Sequence, residues 1–342
     1  RFLRCAQFVG IIGIKTFLVI DGHNLAYRAF FAVKGLSTRS GQPTNAILGF
    51  LNMLLRAIDV VKPDFTVVAF DRHEPTFRHE RFADYKAHRE KAPDEFRSQV
   101  PLIKELLHAL NIPILEKAGF EADDIMGSLA HIAETHTADF RTLLLTGDRD
   151  VLQLVTDRTW VLFPQKGVDF LTMDPVTTLS LTGLQPSQII DFKALKGDPS
   201  DNIPGVPGIG DKTATRLIQQ FNSLDNLYAH LDELKSETLK GALVDHKALA
   251  YLSLDLARIH TELSLELPQS PAHINLASAR SFFEKYELYG YLKKASDTHI
   301  AVNTPWQPCN PLDNQDRWLD WLATVNLSTP IAFVPVIQQG AW

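Results

Sequence analysis

Cysteine is nearly absent from this chain: Cys5 and Cys309 are the only two in 342 residues. That excludes a disulfide framework and a zinc site built on cysteine pairs, and it fits an intracellular, reducing compartment. Long apolar runs are missing too, so no segment reads as a membrane span. Net positive charge is also lacking, since 34 Lys and Arg stand against 40 Asp and Glu for a net charge of -6. Such a balance does not advertise a nucleic-acid binder, but the location of the charges matters more than their sum. There is no internal repeat and no Walker A loop, the glycine-to-lysine spacing in "GVPGIGDKT" being wrong for one. The opening "RFLRCAQFVGIIGIKTFLVID" superficially mimics a secretion signal, but Gly10, Gly13 and Lys15 interrupt its apolar stretch.

What is present suits about two domains of roughly 150 residues each. Thr16 to Ile20, Phe65 to Phe70 and Arg141 to Leu145 are short apolar runs of the kind buried on both faces of a parallel sheet, and Pro113 to Leu115 adds a shorter one. Helical periodicity falls between them, around 46–61, 102–110 and 124–134. Alternating strands and helices predict an α/β fold with a mostly parallel central sheet flanked by helices.

The acids follow that pattern. Asp21, Asp71, Asp148 and Asp150 stand just past the carboxyl ends of predicted strands, where open α/β sheets bind ligands. In "FEADDIMGSLA", Glu121, Asp123 and Asp124 crowd the start of a helix. One Asp would cap that helix; three like charges fit either an acid-rich helix start or a cation among them. With Asp198 and Asp201, these oxygen donors favour a hard cation, Mg²⁺ or Mn²⁺, in a two-ion arrangement suited to phosphodiester hydrolysis.

Two further stretches carry chemistry. In "GVPGIGDKTATRL", Gly205, Gly208 and Gly210 permit a tight turn before a helix that opens at Asp211, Lys212 and Thr213. It is either a plain turn between helices or a helix-hairpin-helix gripping a DNA backbone. Between the second strand and the next helix, about residues 72–104, lie Arg78, Arg81, Tyr85, Lys86 and Arg89. Basic groups interleaved with aromatics suit a single-stranded nucleic acid, while the accompanying acids also allow a solvated, salt-bridged helix.

In order and spacing, "VIDGHNLAYRAFFA", "VVAFDRHEPTFRHERFADYKAHR", "GFEADDIMGSLA", "LLTGDRDVLQLV" and "ALKGDPSDNIPGVPGIGDKTA" resemble the 5′ nuclease domain at the N-terminus of bacterial DNA polymerase I, of the flap endonuclease superfamily. The resemblance covers about residues 16–294. It implies a PIN-like α/β nuclease domain over 16–183 with a helical arch at about 72–104, and a helix-hairpin-helix subdomain over 184–294. One metal position would be served by Asp21, Asp71, Glu121 and Asp123. A second would be served by Asp148, Asp150 and Asp201, with Asp124 and Asp198 helping directly or through water. Lys86 and Arg89 would meet the scissile phosphates, with Arg78 and Arg81 as further DNA contacts. Tyr85 would stack on a base, and Tyr27 and Arg28 match a helix-start pair beside the substrate. Gly205, Gly208, Gly210, Lys212 and Thr213 would hold duplex DNA, where the family often also binds K⁺. The implied activity is structure-selective cleavage at 5′ ends and flaps, in primer removal and repair, by a monomer in the bacterial cytoplasm.

Residues 1–15 read as an N-terminal extension, 295–315 as a linker, and 316–342 as the truncated start of a 3′-5′ exonuclease-like domain lacking its acidic pair. The absence of an initial Met and the abrupt end at Trp342 suggest a piece of a longer polymerase. The competing readings are a non-catalytic DNA-junction-binding module on the same fold and a metal-dependent phosphatase. Neutralising Glu121 or Asp123 is expected to leave the fold intact and to relieve repulsion in the metal-free protein.

Overall fold

The computed structural model describes residues 14–136, 140–165, 168–268 and 274–297. Nearly all of the proposed N-terminal extension, the linker beyond 297 and the 316–342 segment lie outside the described residues. The strands are β1 (Lys15–Asp21), β2 (Phe65–Ala69), β3 (Ile114–Leu115), β4 (Phe140–Leu145), β5 (Thr159–Gln165) and β6 (Val168–Met173). They form one sheet in the order β3-β2-β1-β4-β5-β6, parallel except for the antiparallel β5–β6 pair. The chain leaves β1 toward β2 on one side and later returns as β4 on the other, so the strand order reverses between β1 and β4. The crevice beyond the strand ends at such a reversal is the ligand position of open α/β sheets.

Alternation along β1 explains the layers. Phe17 and Val19 join Val67, Leu144, Ile125 and Leu129 in one core; Leu18 and Ile20 join Val68, Leu143, Phe50 and Leu54 in the other. The first core is covered by α6 (Ala122–His136), the second by α1 (Gly22–Ala32), α2 (Asn45–Val61) and α5 (Val100–Ala109). Strands buried on both faces therefore read as largely apolar runs, the property that makes them visible in sequence.

The expected arch at about 72–104 is built of short pieces, α3 (Phe77–Arg81) and α4 (Asp94–Arg97), separated by turns and followed by the start of α5. Pro93 immediately precedes α4, and Lys86 adopts a left-handed φ of 57°, so neither position continues a helix. Long-range bonds pin the turn: Lys86 N donates to Asp201 O at 2.9 Å, and Asn202 Nδ2 to Asp84 O at 2.7 Å.

After α7 (Pro175–Thr182), α8 (Ile189–Lys196) and α9 (Asp211–Phe221) form a helical hairpin. Ala214, Leu217, Ile218 and Phe221 are the buried stripe of α9, which joins the first core. α10 (Leu224–Ala229), α11 (Glu237–Asp245) and α12 (Lys247–Ala257) follow. The chain then crosses back: Phe282, Phe283 and Tyr291, from α13 (Arg280–Lys285) and α14 (Tyr289–Asp297), pack into the second core with α2 and α5. The expected 184–294 subdomain is thus not one piece, because its last stretch belongs with the sheet. No helix among the described residues is long and apolar enough to cross a membrane.

Candidate active site

The ends of β1, β2 and β4 each deliver one acid. Asp21 ends β1 and caps α1, accepting from Asn24 N at 3.0 Å and Thr146 Oγ1 at 2.9 Å. Asp71 follows β2 and accepts from Ala122 N at 2.7 Å, tying it to the start of α6, where Glu121 and Asp123 stand. Asp148 follows β4, accepting from Asp150 N at 2.9 Å. Asp21, Asp71, Glu121, Asp123 and Asp148 line one cavity of about 550 Å³ at the β1–β4 crevice, with Lys86 and Arg89 on its wall.

The cavity is electrostatically strained. Burial, then the charge of Asp71 and, more weakly, that of Asp148 push the Asp21 carboxyl up to about 7. Burial also opposes ionisation at Asp71, but the His23 ring, 3.2 Å away, and the Ala122 N–H outweigh it and bring that group down to about 2. Burial and the neighbouring Asp124 hold Asp123 well above the usual carboxylate range, against the pull of Arg78. Oxygen donors crowded until some resist ionisation fit a hard divalent cation in their chemistry. Among the described residues, no three acidic, histidine or cysteine side chains are already gathered tightly enough to hold an ion. Basic side chains stand between them instead.

Those bases divide the acids. Lys86 Nζ lies 2.6 Å from Glu121 Oε1 and 3.8 Å from Asp201 Oδ2; Arg89 Nη2 lies 2.5 Å from Asp201 Oδ1. Lys193 of α8 bridges Asp150 and Asp198. Asp150 is nonetheless held up to about 6, by burial and then by Asp148, despite Lys193.

Three expected roles are corrected by burial. Asp124 is fully buried, with Oδ1 and Oδ2 accepting from Arg78, His260 N and Glu121 N, so it orients the α6 start and has no face toward a metal. Arg78 is 1% exposed and cannot meet a phosphate; all its donor groups are spent inside the protein. Tyr85 is 4% exposed, its hydroxyl donating to Glu121 Oε2 at 3.0 Å and its ring packed near Ile203, Leu256 and Ala257, so it stacks on no base. Arg81 remains at the surface beside Asp255, at 3.2 Å. Tyr27 and Arg28 sit in mid-helix rather than at a helix start. Tyr27 is 45% exposed on the cavity rim, and Arg28 donates to Pro164 O at 2.8 Å.

In the hairpin, Gly208 (φ 84°) and Gly210 have open space where a Cβ would point, and Lys212 is exposed at the first turn of α9 with Thr213 half-buried. Gly205 faces inward instead: its φ is 65°, its N–H donates to Ser253 Oγ, and a Cβ there would lie 2.5 Å from the Lys196 carbonyl carbon. Gly205→Ala is expected to lower unfolding stability by at least about 2 kcal/mol in urea titration, whereas Gly208→Ala meets no neighbouring atom and bears only its positive φ.

Sequence reasoning missed His23, Asn24, Thr146 and Lys193. The first two lie two and three residues after Asp21 and Thr146 precedes Asp148 by two, so closeness to a strand-end acid was the available signal. Nothing in the sequence marks Lys193.

An acid-rimmed switch point on this sheet, with a helical hairpin joined to it, defines a resolvase-like nuclease fold. Two family models match in succession: the 5′-3′ exonuclease N-terminal resolvase-like domain over residues 16–179, and the 5′-3′ exonuclease C-terminal SAM fold over 184–279. The chain belongs to the 5′-3′ exonuclease family. It is 43% identical over 295 residues to thermostable DNA polymerase I of Thermus thermophilus, covering 85% of this chain and 34% of that protein. It is 46% identical over 255 residues to DNA polymerase I of Lactococcus lactis subsp. cremoris, covering 73% and 29%. The chain thus spans about a third of the length of the polymerases it matches. The fold is shared with the T5 D15 protein co-crystallised with metal ions (TM-score 0.60, 20% identity, 83% of this chain and 100% of that one). It is shared also with the catalytic core of Rad2 in complex with DNA substrate (TM-score 0.56, 18% identity, 84% and 92%).

Proposed function

We propose that this chain is the 5′ nuclease portion of a bacterial DNA polymerase I, hydrolysing DNA phosphodiester bonds at 5′ ends and 5′ flaps with divalent ions, Mg²⁺ or Mn²⁺. The observation that carries the reading is the convergence of five carboxylates from three strand ends and one helix start on a single cavity walled by Lys86 and Arg89. Asp21, Asp71, Glu121 and Asp123 would hold one ion. Asp148, Asp150 and Asp201 would hold the other, with Asp198 beside them. Bound there, such ions supply Lewis-acid activation of water and offset charge on the phosphate.

The protein's own groups do the rest. An arriving phosphate competes with Glu121 for Lys86 and with Asp201 for Arg89, so both cations turn from carboxylate to substrate as charge develops on the leaving oxygen. The exposed Tyr27 ring offers a stacking face on the rim, with Arg28 one residue on. Gly208, Gly210, Lys212 and Thr213 present open backbone and the α9 N-terminus to a duplex phosphate, where K⁺ would assist. None of these contacts reads a base, which supports selection of structure over sequence and a steep loss of affinity with salt. The partner is flap, nicked or junction DNA. The chain acts as a monomer in the bacterial cytoplasm, among nucleoid DNA, with the polymerase in the same full-length protein.

The test is cleavage of an end-labelled 5′-flap duplex in Mg²⁺ by the chain and by Asp148→Ala. The parent should release the flap and leave a 5′ phosphate, and the variant should lose cleavage on the order of 10²-fold or more while still binding. Binding without cleavage by the parent would instead favour a junction-binding module; activity confined to small phosphate esters would favour a phosphatase.

A further inference from the structure

Lys193 is a cation that the proposed chemistry does not use. It does not line the acid cavity, so a phosphate in that cavity does not meet it. Its Nζ lies 2.5 Å from Asp150 Oδ1 and is also paired with Asp198 Oδ2; the side chains of the three are 14%, 15% and 17% exposed. The partners come from different parts of the chain. Asp150 opens the turn that follows β4, whereas Lys193 and Asp198 belong to the helical hairpin. Asp198 is itself fixed from the opposite side, Oδ1 accepting from Ser200 N at 2.8 Å and Ser200 Oγ at 2.7 Å.

We propose that Lys193 is a built-in counter-cation: it docks α8 on the catalytic loop by bridging Asp150 and Asp198, and a divalent ion binds these acids only by displacing it. The inference rests on the metal-dependent reading above and adds a competitor internal to the chain. Two carboxylates around one ammonium leave net negative charge, and Asp148 lies beside Asp150. A doubly charged ion would neutralise that group more completely, but an ammonium and an ion cannot share the same oxygens. Lysine suits the exchange because it carries a compact charge on a flexible stem, unlike the rigid fork of arginine. Lys196, one turn further along α8, gives the contrast: it pairs at 2.8 Å with Asp211, whose side chain is 70% exposed, and touches neither acid.

The test uses the full chain without DNA. Mn²⁺ affinity is measured by calorimetry, and melting is followed in EDTA and in saturating Mn²⁺, for the parent, Lys193→Met, Lys193→Gln, Lys193→Arg and, as control, Lys196→Met. Lys193→Met should melt about 3 °C or more below the parent in EDTA. It should bind Mn²⁺ on the order of tenfold more tightly, and the melting gap should narrow once the ion is bound. Lys193→Gln keeps a hydrogen-bond donor without the charge; it should show the same gain in affinity at a smaller loss in melting, which secures the test if Lys193→Met folds poorly. Lys193→Arg should keep the parent's melting in EDTA, and Lys196→Met its affinity. Unchanged or weaker Mn²⁺ affinity in Lys193→Gln would overturn the proposal alone, leaving an ordinary structural bridge. A parent that binds no divalent ion would overturn it together with the metal-dependent reading.

Discussion

Arg78→Met is expected to lower unfolding stability by roughly 3–5 kcal/mol, the cost of removing one partner from a buried ionic network. The guanidinium donates from Nε to Leu256 O at 2.9 Å, and from Nη1 to Asp124 at 2.8 Å and Glu121 at 3.2 Å. From Nη2 it donates to Asp124 at 2.8 Å and Arg258 O at 2.7 Å. Its loss would strand the fully buried Asp124 and free two carbonyls at the end of α12. Arg78→Lys should rescue little, because an ammonium cannot reproduce the planar fork that serves Asp124 through two nitrogens. Urea unfolding measures the effect. A loss under about 1 kcal/mol, in the range of exposed pairs, would mean that Arg78 is at the surface and free to meet DNA after all.

Asp123→Asn and Glu121→Gln should part company, although sequence alone treats the two acids alike. Asp123 resists ionisation through burial and its neighbour Asp124, so the amide removes an unfavourable charge and should raise melting of the metal-free protein. Glu121 accepts from Lys86 at 2.6 Å, Tyr85 at 3.0 Å and Arg78 at 3.2 Å, so its amide leaves two cations short of a partner and should lower melting. Both variants should lose flap cleavage on the order of 10²–10³-fold. Melting in EDTA beside single-turnover cleavage in Mg²⁺ separates the effects; a common direction of melting change would refute the contrast.

The central strands were legible because burial on both faces leaves the inner stretches of β1, β2 and β4 largely apolar, and the acids past their ends announced the functional edge. Strands β5 and β6 were not, since Pro164 sits within β5 and the pairing shifts register at Pro164/Gln165, the kind of irregularity a sheet admits near its edge. The order of strands, and hence the switch point between β1 and β4, is a tertiary fact with no local trace.

Charge was the least legible property. Arg78, Tyr85, Lys86 and Arg89 read in sequence as one basic, aromatic surface, yet the first two are interior and the last two face the acids. What separates them is the turn at Lys86, fixed by its bond to Asp201 O more than a hundred residues away. Lys193 was invisible for the same reason: Asp198 lies five residues on, but Asp150 reaches it only in three dimensions.

The most direct test of the carboxylate cavity as a centre of DNA hydrolysis pairs two readouts on one 5′-flap duplex: affinity in Ca²⁺ and single-turnover cleavage in Mg²⁺ or EDTA, for the parent and Asp123→Asn. Cleavage should require Mg²⁺ and Asp123 while binding survives the substitution. Cleavage that persists in EDTA, or in Asp123→Asn at the parent's rate, would contradict it.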